Sequence, residues 1–297
     1  MKTPLFTGCA TALVTPFRGG AVDHAALEIL IERQIAGGCS ALVIAATTGE
    51  SPVLSYGEHL ALVGAAVRIA AGRVPVIAGA GSNSTDHALT LIRQAEGAGA
   101  DGLLLVTPYY NKTSQTGLLR HYSYLADRTE LPVLLYDVPA RTGMRIAPET
   151  LAELSRHPRI VGIKSADTDL DTLSSAMRLC APDFCFYSGN DSLTLPMMAL
   201  GAKGVVSVVS NLVPEMMSEL TRFCLSGDFG DAAALHFSYL DLMNALFSDV
   251  NPVPVKTALE AAGLCSGELR LPLTEMDAVK KEALFSVLRR HGIISDP

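Results

Sequence analysis

A lysine at the end of an apolar run is the residue in this chain whose position most favours covalent chemistry. Lys164 directly follows Ile160–Ile163, a short apolar run typical of a buried strand. Lysine is rarely buried without a partner or a purpose. Burial disfavours the charged form of an amine, and a neutral amine can attack a carbonyl carbon to form a Schiff base. The simpler interpretation is a lysine just past a strand end, with its ammonium group extending to water.

Polar side chains also follow other apolar runs of the chain. They occur in Thr47–Ser51, Thr107–Lys112, Tyr136–Gly143, Ser188–Asp191 and at Ser207. Each has a simpler role, because Thr and Ser cap helices, Asn-Asp before a helix is an N-cap and Tyr often fills a barrel mouth. If the runs are strands whose ends share one rim, hydroxyl, phenol and guanidinium groups converge there with Lys164. That convergence favours catalysis.

These residue types suit an amine that attacks a 2-keto acid. Forming the imine requires proton transfer to expel water, and a base must then remove a methyl proton to give an enamine. A chain of hydroxyl groups can relay these protons, and Tyr136 ends the run that precedes Lys164. Arg141 is the candidate for a second, anionic reactant, since its planar fork matches a carboxylate. This chemistry requires neither a metal nor a flavin.

Eight apolar, β-rich runs recur along the chain with helical stretches between them. They are Cys9–Val14, Ala41–Ala45, Val74–Ala78, Gly102–Val106, Val133–Tyr136, Ile160–Ile163, Phe184–Tyr187 and Gly204–Val208. Most are near-continuous, as expected for parallel strands covered on both faces, and their spacing of roughly 20 to 33 residues is that of a βα unit. The pattern predicts an α/β fold, a (β/α)₈ TIM barrel whose active site lies at the C-terminal ends of the strands.

A doubly wound sheet is the structural rival of the barrel. It would require a glycine-rich phosphate turn after the first strand, where this chain has Thr15–Arg18. The Gly79-Ala80-Gly81 stretch is only a weak signal and is typical of an ordinary βα turn.

Capping signals place the helices between the strands and beyond them. Asp23 should cap a helix that ends near Gly37, Ser55 should cap one over 56–70 with Glu58 completing a capping box, and Ser84 or Thr85 should begin one that ends at Gly97. A helix over about 214–225 would close the barrel, and 228–246, 254–262 and 275–290 look helical. We therefore expect a catalytic barrel over 1–226 and a C-terminal helical domain over 227–297 packed on it.

Composition limits the classes of partner. The chain has 297 residues, 49% hydrophobic and 18% charged, with a net charge of −7, which argues against nucleic acid or an anionic membrane surface as the main partner. No apolar run is long enough to span a bilayer, and the N-terminus lacks the apolar core of a signal peptide. The six cysteines are scattered without a CxxC pair, which indicates a reduced, cytoplasmic protein with no metal site.

Several motifs together resemble the pyruvate-dependent class I aldolases and lyases of the dihydrodipicolinate synthase / N-acetylneuraminate lyase family. The motifs are Thr47–Ser51, Val106–Lys112, Tyr136–Gly143, Gly162–Lys164, Ser188–Asp191 and Asn251–Lys256. The resemblance covers essentially the whole chain. The doubled threonine, the Val-Pro-x-Arg-Thr-Gly turn and the stretch Glu268–Leu273 look like the dihydrodipicolinate synthase branch.

The resemblance implies a catalytic role for four residues. Lys164 would form the Schiff base with pyruvate, and Tyr136 would donate and accept protons. Thr47 and Tyr110 would complete the proton relay, with Tyr110 reaching in from a neighbouring subunit. The enzyme would be a lyase of the class I aldolase type that needs no cofactor beyond the covalent Schiff base with its substrate.

The resemblance also implies substrate-binding residues. Thr48 and Val206 would contact pyruvate through hydroxyl and backbone groups, and Gly189 belongs to the same binding set. Arg141 would hold the carboxylate of aspartate semialdehyde. The implied product is 4-hydroxy-tetrahydrodipicolinate, on the route to diaminopimelate and lysine, and the implied assembly is a homotetramer built as a dimer of dimers.

Two other functions stay open at this stage. The chain could be a pyruvate lyase or aldolase for a sugar acid such as 2-keto-3-deoxygluconate or N-acetylneuraminate, although those branches generally lack an arginine at the position of Arg141. It could also be a non-catalytic barrel that senses a small acid, but a sensor has no need to retain the full proton relay.

The sequence departs from the family pattern at several positions. Asp137 stands where asparagine is usual, and Ser165 replaces the usual acidic residue after the lysine. Feedback-sensitive synthases hold lysine at a dimer interface, where His59, Asn83 and Tyr109 match the pattern but Tyr56 and His87 replace a histidine and a glutamate. We therefore predict weak or absent inhibition by lysine, which a submillimolar inhibition constant would contradict.

Overall fold

Eight parallel strands form a closed barrel in the computed structural model, which describes residues 2–295. The strands are β1 Gly8–Ala12, β2 Ala41–Ile44, β3 Val76–Gly79, β4 Gly102–Val106, β5 Val133–Asp137, β6 Ile160–Ser165, β7 Cys185–Ser188 and β8 Gly204–Ser207. Each pairs with the next, and β8 pairs with β1. A two-stranded antiparallel hairpin, Phe17–Arg18 with Ala21–Val22, follows β1. The predicted (β/α)₈ barrel is confirmed.

Helices connect the strands and cover the outside of the barrel. They are α1 His24–Ala36, α2 Tyr56–Ala70, α3 Thr85–Gly97, α4 Gln115–Ala126, α5 Pro139–Thr142, α6 Pro148–Leu154, α7 Leu170–Leu179, α8 Thr194–Ala199, α9 Pro214–Ser226, α10 Phe229–Ala245, α11 Val253–Ala261 and α12 Ala278–Arg290. The Ser55 side chain accepts from the Glu58 amide while the Glu58 carboxylate accepts from the Ser55 amide, which confirms the predicted capping box at α2. Asp23 and Ser84 cap α1 and α3.

The strands separate two apolar layers. Side chains that point inward fill the barrel, among them Val43, Ile77, Leu104 and Leu134. Side chains that point outward join the helices in a larger core. Because both faces of each strand are covered, the strands are apolar almost throughout, which is why they could be recognised in the sequence.

Two glycines of the β3 turn are required by close backbone approach. A Cβ atom on Gly79 would lie 2.3 Å from the Ala45 carbonyl oxygen, and one on Gly81 would lie 2.3 Å from the Val106 amide nitrogen. The Gly79-Ala80-Gly81 stretch is therefore a tight βα turn, which agrees with its interpretation from the sequence.

The helices α10, α11 and α12 form the predicted C-terminal helical region. Their buried side chains, including Leu242, Val255 and Leu284, belong to the same core as the outer layer of the barrel. The region thus packs on the barrel, whereas a domain boundary between residues 226 and 227 stays a prediction. Within residues 2–295, no helix is both long and apolar enough to cross a membrane.

Candidate active site

Lys164 lies inside the C-terminal end of the barrel, next to Tyr136. The two residues are opposite each other in the register of β5 and β6, and the lysine Nζ is 4.3 Å from the centroid of the tyrosine ring. Lys164 is 4% exposed and forms no ion pair with a described carboxylate. Its amine therefore lies in the barrel mouth beside a phenol, rather than extending to water.

Gly189 packs directly against the stem of Lys164. Its amide donates a 2.7 Å hydrogen bond to the Ser165 carbonyl. This bond holds the segment after β7 next to the end of β6. A Cβ atom at position 189 would lie 3.0 Å from the lysine Cε and 3.0 Å from the Ser165 oxygen. A side chain at position 189 would therefore crowd the stem of Lys164, and glycine leaves room for it.

Val206 lies on β8 with its side chain in the barrel interior, in the same apolar cluster as Tyr136. The turn that follows is held by Asp191, whose Oδ2 accepts from the amides of Val208 and Val209 at 3.0 and 3.1 Å. Burial raises the pKa of Asp191, while hydrogen bonds from Ser207 and these amides and the charge of Lys164 oppose that rise. A buried carboxyl thus lies within electrostatic reach of the lysine.

The β2–α2 loop carries the two threonines. Thr47 lines the cavity at the barrel mouth, whereas Thr48 is buried and its Oγ1 accepts a 2.9 Å hydrogen bond from Asn251 Nδ2. Glu50, in the middle of the loop, has a φ of +54°, a left-handed conformation that costs about 1 kcal/mol or more for a residue with a side chain.

A buried ion pair from the C-terminal region holds this loop. Lys256 Nζ lies 2.7 Å from Glu50 Oε1 and donates a 3.0 Å hydrogen bond to the Thr15 carbonyl, and both side chains of the pair are almost fully buried. The other Glu50 oxygen accepts from the Arg270 amide at 3.2 Å. Loops after β1 and β2 are thereby joined to the C-terminal region.

Arg141 lies on the one-turn helix α5, which Pro139 begins. Its Nη2 donates a 3.1 Å hydrogen bond to the backbone carbonyl of Asn251, and its side chain lines the cavity on the exposed side. The loop is tied to the end of β4, because Thr107 Oγ1 donates to Thr142 Oγ1 at 3.0 Å. A guanidinium at the cavity mouth can bind a carboxylate of an entering substrate.

Tyr110 is not brought to the other predicted catalytic residues within the chain. It is 91% exposed, has a φ of +68° and is not among the residues that line the cavity, whereas the neighbouring Tyr109 is. A residue that acts on a neighbouring subunit has to be exposed in its own chain, as Tyr110 is. That role stays a prediction.

A cavity of about 400 Å³ connects this rim with a second group of residues. Thr47, Tyr136 and Arg141 line one end of the cavity. Tyr56, His59, Ser82, His87 and Leu91 line the other end. A cavity of this volume has room for small acids of three to four carbons and for larger ligands.

Tyr56, His59, His87 and Tyr109, four of the five positions compared with the feedback site of other synthases, line this cavity, whereas Asn83 does not. His59 Nε2 lies 2.7 Å from the Gly79 carbonyl, and burial lowers the pKa of this histidine. Tyr56 and His87 meet edge to face, 6.3 Å apart. None of the described residues that line the cavity is acidic, so its lining offers no carboxylate to an ammonium group. Weak or absent lysine inhibition remains our prediction.

Asp137 is a buried carboxyl directly behind Tyr136. Burial raises its pKa to about 7; a hydrogen bond from the Ile146 amide and the charge of Arg145 oppose the rise, and Asp167 adds to it. Its Oδ1 is buried and has no hydrogen-bond partner among the described residues. Burial favours its protonated form, which resembles the asparagine usual at this position.

Sequence reasoning missed three features of the site. Asn251 and the Lys256–Glu50 pair lie in recognisable motifs, but nothing local indicates that they meet the β2 loop. Asp191 follows a strand end, where a helix cap was the simpler role for the Asn-Asp pair. Asn190 does cap the following turn, whereas Asp191 binds the turn after β8. Among residues 2–295, no group of three or more His, Cys, Asp or Glu side chains could hold a metal ion, and all six cysteines are free.

Comparison with known proteins gives a consistent family assignment. The model of the dihydrodipicolinate synthetase family matches residues 5–291. A 4-hydroxy-tetrahydrodipicolinate synthase from Geobacter sulfurreducens is 48% identical, over 98% of this chain and 100% of the relative.

Solved structures agree with this result. The dihydrodipicolinate synthase from Aquifex aeolicus superposes with a TM-score of 0.96 at 43% identity, over 98% of this chain and 100% of that chain. A chloride-inhibited dihydrodipicolinate synthase from Acinetobacter baumannii, solved with pyruvate, has a TM-score of 0.95 at 41% identity, over 97% and 99% of the two chains.

Proposed function

The chain belongs to the dihydrodipicolinate synthetase family, and on that premise we propose that its barrel-mouth site condenses pyruvate with aspartate semialdehyde to give 4-hydroxy-tetrahydrodipicolinate. The observation that carries the proposal is the buried amine of Lys164, which has no carboxylate partner among the described residues and lies 4.3 Å from the Tyr136 ring. The relatives named 4-hydroxy-tetrahydrodipicolinate synthase support this product, and the resemblance to class I aldolases supports the Schiff-base route.

Lys164 begins the reaction as the nucleophile. The Nζ lone pair attacks C2 of pyruvate, the carbonyl oxygen takes up a proton through Tyr136, and water leaves as the protonated Schiff base forms. Loss of a proton from the methyl carbon then gives the enamine. No external cofactor takes part in these steps, because the positive nitrogen of the Schiff base accepts the electron pair of the broken C–H bond.

The enamine next forms the new carbon–carbon bond. Its methylene carbon attacks the aldehyde carbon of aspartate semialdehyde, and the resulting alkoxide takes a proton. The amino group of the second substrate then attacks C2, which closes the ring and releases Lys164. In sum, pyruvate and aspartate semialdehyde give the product and one water. This product lies on the route to diaminopimelate and lysine.

The remaining site residues have supporting roles in this proposal. Thr47 extends the proton relay from Tyr136, and Tyr110 completes it from a neighbouring subunit of a homotetramer. Thr48, Val206 and Gly189 bind pyruvate. Pyruvate and aspartate semialdehyde are both small enough to enter the cavity of about 400 Å³.

Arg141 selects the second substrate. Its guanidinium binds the carboxylate of aspartate semialdehyde at the exposed end of the cavity. A sugar acid would present hydroxyl groups here, which match the charge and the bidentate geometry of the guanidinium less well than a carboxylate does.

The condensation assay with matched lysine variants tests this function. Purified protein is incubated with pyruvate and aspartate semialdehyde, and aldehyde loss and product formation are followed by mass spectrometry. We expect turnover in the wild type and in Lys203→Ala, which removes an exposed lysine before β8 at the other end of the barrel, and none in Lys164→Ala.

Other outcomes would change the assignment. If the aldehyde is untouched while borohydride still traps pyruvate on Lys164, the enzyme uses a sugar acid. If pyruvate is not trapped at all, the chain is not a Schiff-base enzyme.

A further inference from the structure

Asn251 connects the two loops that the proposed function assigns to the two substrates. Its side-chain Nδ2 donates to Thr48 Oγ1 at 2.9 Å, and its backbone carbonyl accepts from Arg141 Nη2 at 3.1 Å. It is 7% exposed and lies just before α11, in the C-terminal region. One residue from outside the barrel thus contacts the loop after β2 and the loop after β5.

The direction of the hydrogen bond to Thr48 decides what this threonine can do. A hydroxyl group has one proton to donate and two lone pairs that can accept. The Asn251 amide uses a lone pair of Thr48, because an N–H can only donate. The hydroxyl proton of Thr48 is therefore left for another acceptor. A carboxylate is an acceptor only, so a substrate carboxylate is the group that such a hydroxyl favours.

The Asn251 side chain is otherwise poorly satisfied. Its Oδ1 is buried and has no hydrogen-bond partner among the described residues. Buried amides in protein cores are normally paired at both ends, and an unpaired buried acceptor destabilises the folded state. An amide that served packing alone would be replaced by an apolar residue at lower cost, so its N–H donor function has to account for its presence.

We propose that Asn251 is a positioning residue that orients the Thr48 hydroxyl as a hydrogen-bond donor to the carboxylate of bound pyruvate. This inference rests on the proposed function, in which Thr48 binds pyruvate. The C-terminal helical region is then a working part of the active site. Its contribution is the polarity of one hydroxyl group.

Two substitutions at position 251 separate this role from packing. Asn251→Ala removes the donor. Asn251→Asp keeps the shape but presents a carboxylate oxygen, which accepts a hydrogen bond from the Thr48 hydroxyl. The hydroxyl oxygen then presents only lone pairs to pyruvate. We expect Asn251→Ala to raise the KM for pyruvate about fivefold and Asn251→Asp to raise it about tenfold or more, with smaller changes in kcat.

A packing role alone predicts the opposite order. Asn251→Ala would then raise the KM more than Asn251→Asp, because alanine leaves a cavity and aspartate does not.

A double-mutant cycle shows whether the effect passes through Thr48. In a Thr48→Val background, which lacks the hydroxyl, Asn251→Ala and Asn251→Asp should change the KM for pyruvate by less than about twofold further. Equal effects with and without the hydroxyl would overturn the proposal. If Asn251→Asp does not fold, Asn251→Ala in the two backgrounds gives the same answer.

Two controls complete the experiment. Thr257→Val removes a buried hydroxyl of α11 whose one hydrogen bond within residues 2–295 is to the Val253 carbonyl, and it should leave the KM for pyruvate unchanged. Borohydride trapping of pyruvate on Lys164 in the wild type separates the two claims. If trapping succeeds but the Asn251 variants keep the wild-type KM, the role of Asn251 is wrong and the Schiff-base function stands.

Discussion

Two buried lysines in this chain have opposite surroundings. Lys256 is 0% exposed and pairs with Glu50 at 2.7 Å, whereas Lys164 is 4% exposed and has no described carboxylate partner. Lys256 therefore holds the β2–α2 loop in place, whereas no described carboxylate forms an ion pair with the Lys164 Nζ, which leaves it free to contact a substrate.

Asp137 gives the residue scale a test that depends on pH. Its pKa is raised to about 7 in the folded protein, against about 3.9 in an unfolded chain. Between these values the folded state keeps a proton that the unfolded state has lost, so this residue reduces stability as pH rises from about 4 to about 7. An asparagine side chain at this position would not titrate.

We therefore expect Asp137→Asn to stabilise the protein more at pH 8 than at pH 5. The gain in the free energy of unfolding should differ by roughly 2–3 kcal/mol between the two pH values. Urea unfolding of the wild type and of the variant measures it. The same gain at both values would mean that Asp137 does not titrate in this range.

The loops at the barrel mouth are held by elements far away in the sequence. The Glu50–Lys256 pair and the Asn251–Thr48 bond join the β2–α2 loop to the residues around α11. Contacts with the C-terminal region thus hold Glu50 and the loop that contains it. The position of Thr48 therefore depends on contacts with that region as well as on the barrel.

Breaking this ion pair should cost far more than replacing it. Lys256→Met leaves the Glu50 carboxylate buried without its cation, and we expect it to lower the free energy of unfolding by about 3–5 kcal/mol. Adding Glu50→Gln removes the uncompensated charge and should recover part of that loss. Lys280→Met, which removes an exposed pair with Asp249, is the control and should cost less than about 1 kcal/mol. Urea unfolding at pH 7 measures all three, and additive losses in the double variant would contradict a stabilising pair.

At the scale of the whole molecule, the proposed site is incomplete in one chain. Tyr110 is exposed and away from the cavity, although the proposed relay requires it. A symmetric dimer can supply the same residue to each site from the other subunit. The tetramer we propose therefore has a catalytic purpose.

Mixing two defective variants tests this exchange. Tyr110→Phe and Lys164→Ala should each have low activity alone. If Tyr110 acts on the neighbouring subunit, a mixed dimer contains one site with an intact lysine and an intact tyrosine. Refolding equal amounts together should then recover about a quarter of wild-type activity. No recovery in mixed dimers isolated with two affinity tags would place Tyr110 in its own chain's site.

Much of the fold could be predicted from the sequence, because buried parallel strands are apolar throughout and their helices carry local caps such as Ser55 with Glu58. The positions of Lys164 and Tyr136 at strand ends, and of Arg141 just after β5, were also predictable, since a barrel places its strand ends on one rim. The contacts of Asn251 and Lys256 were not, because they join residues 203 and 206 positions apart and leave no local pattern. The raised pKa of Asp137 likewise depends on burial behind a loop that only the structure reveals.

The central claim of this account is that Lys164 forms a covalent imine with pyruvate. The most direct measurement is to incubate the protein with pyruvate, reduce it with borohydride, digest it and locate the modified peptide by tandem mass spectrometry. We predict a single adduct on Lys164 that is absent from Lys164→Ala. An adduct on another lysine, or none at saturating pyruvate, would contradict the mechanism.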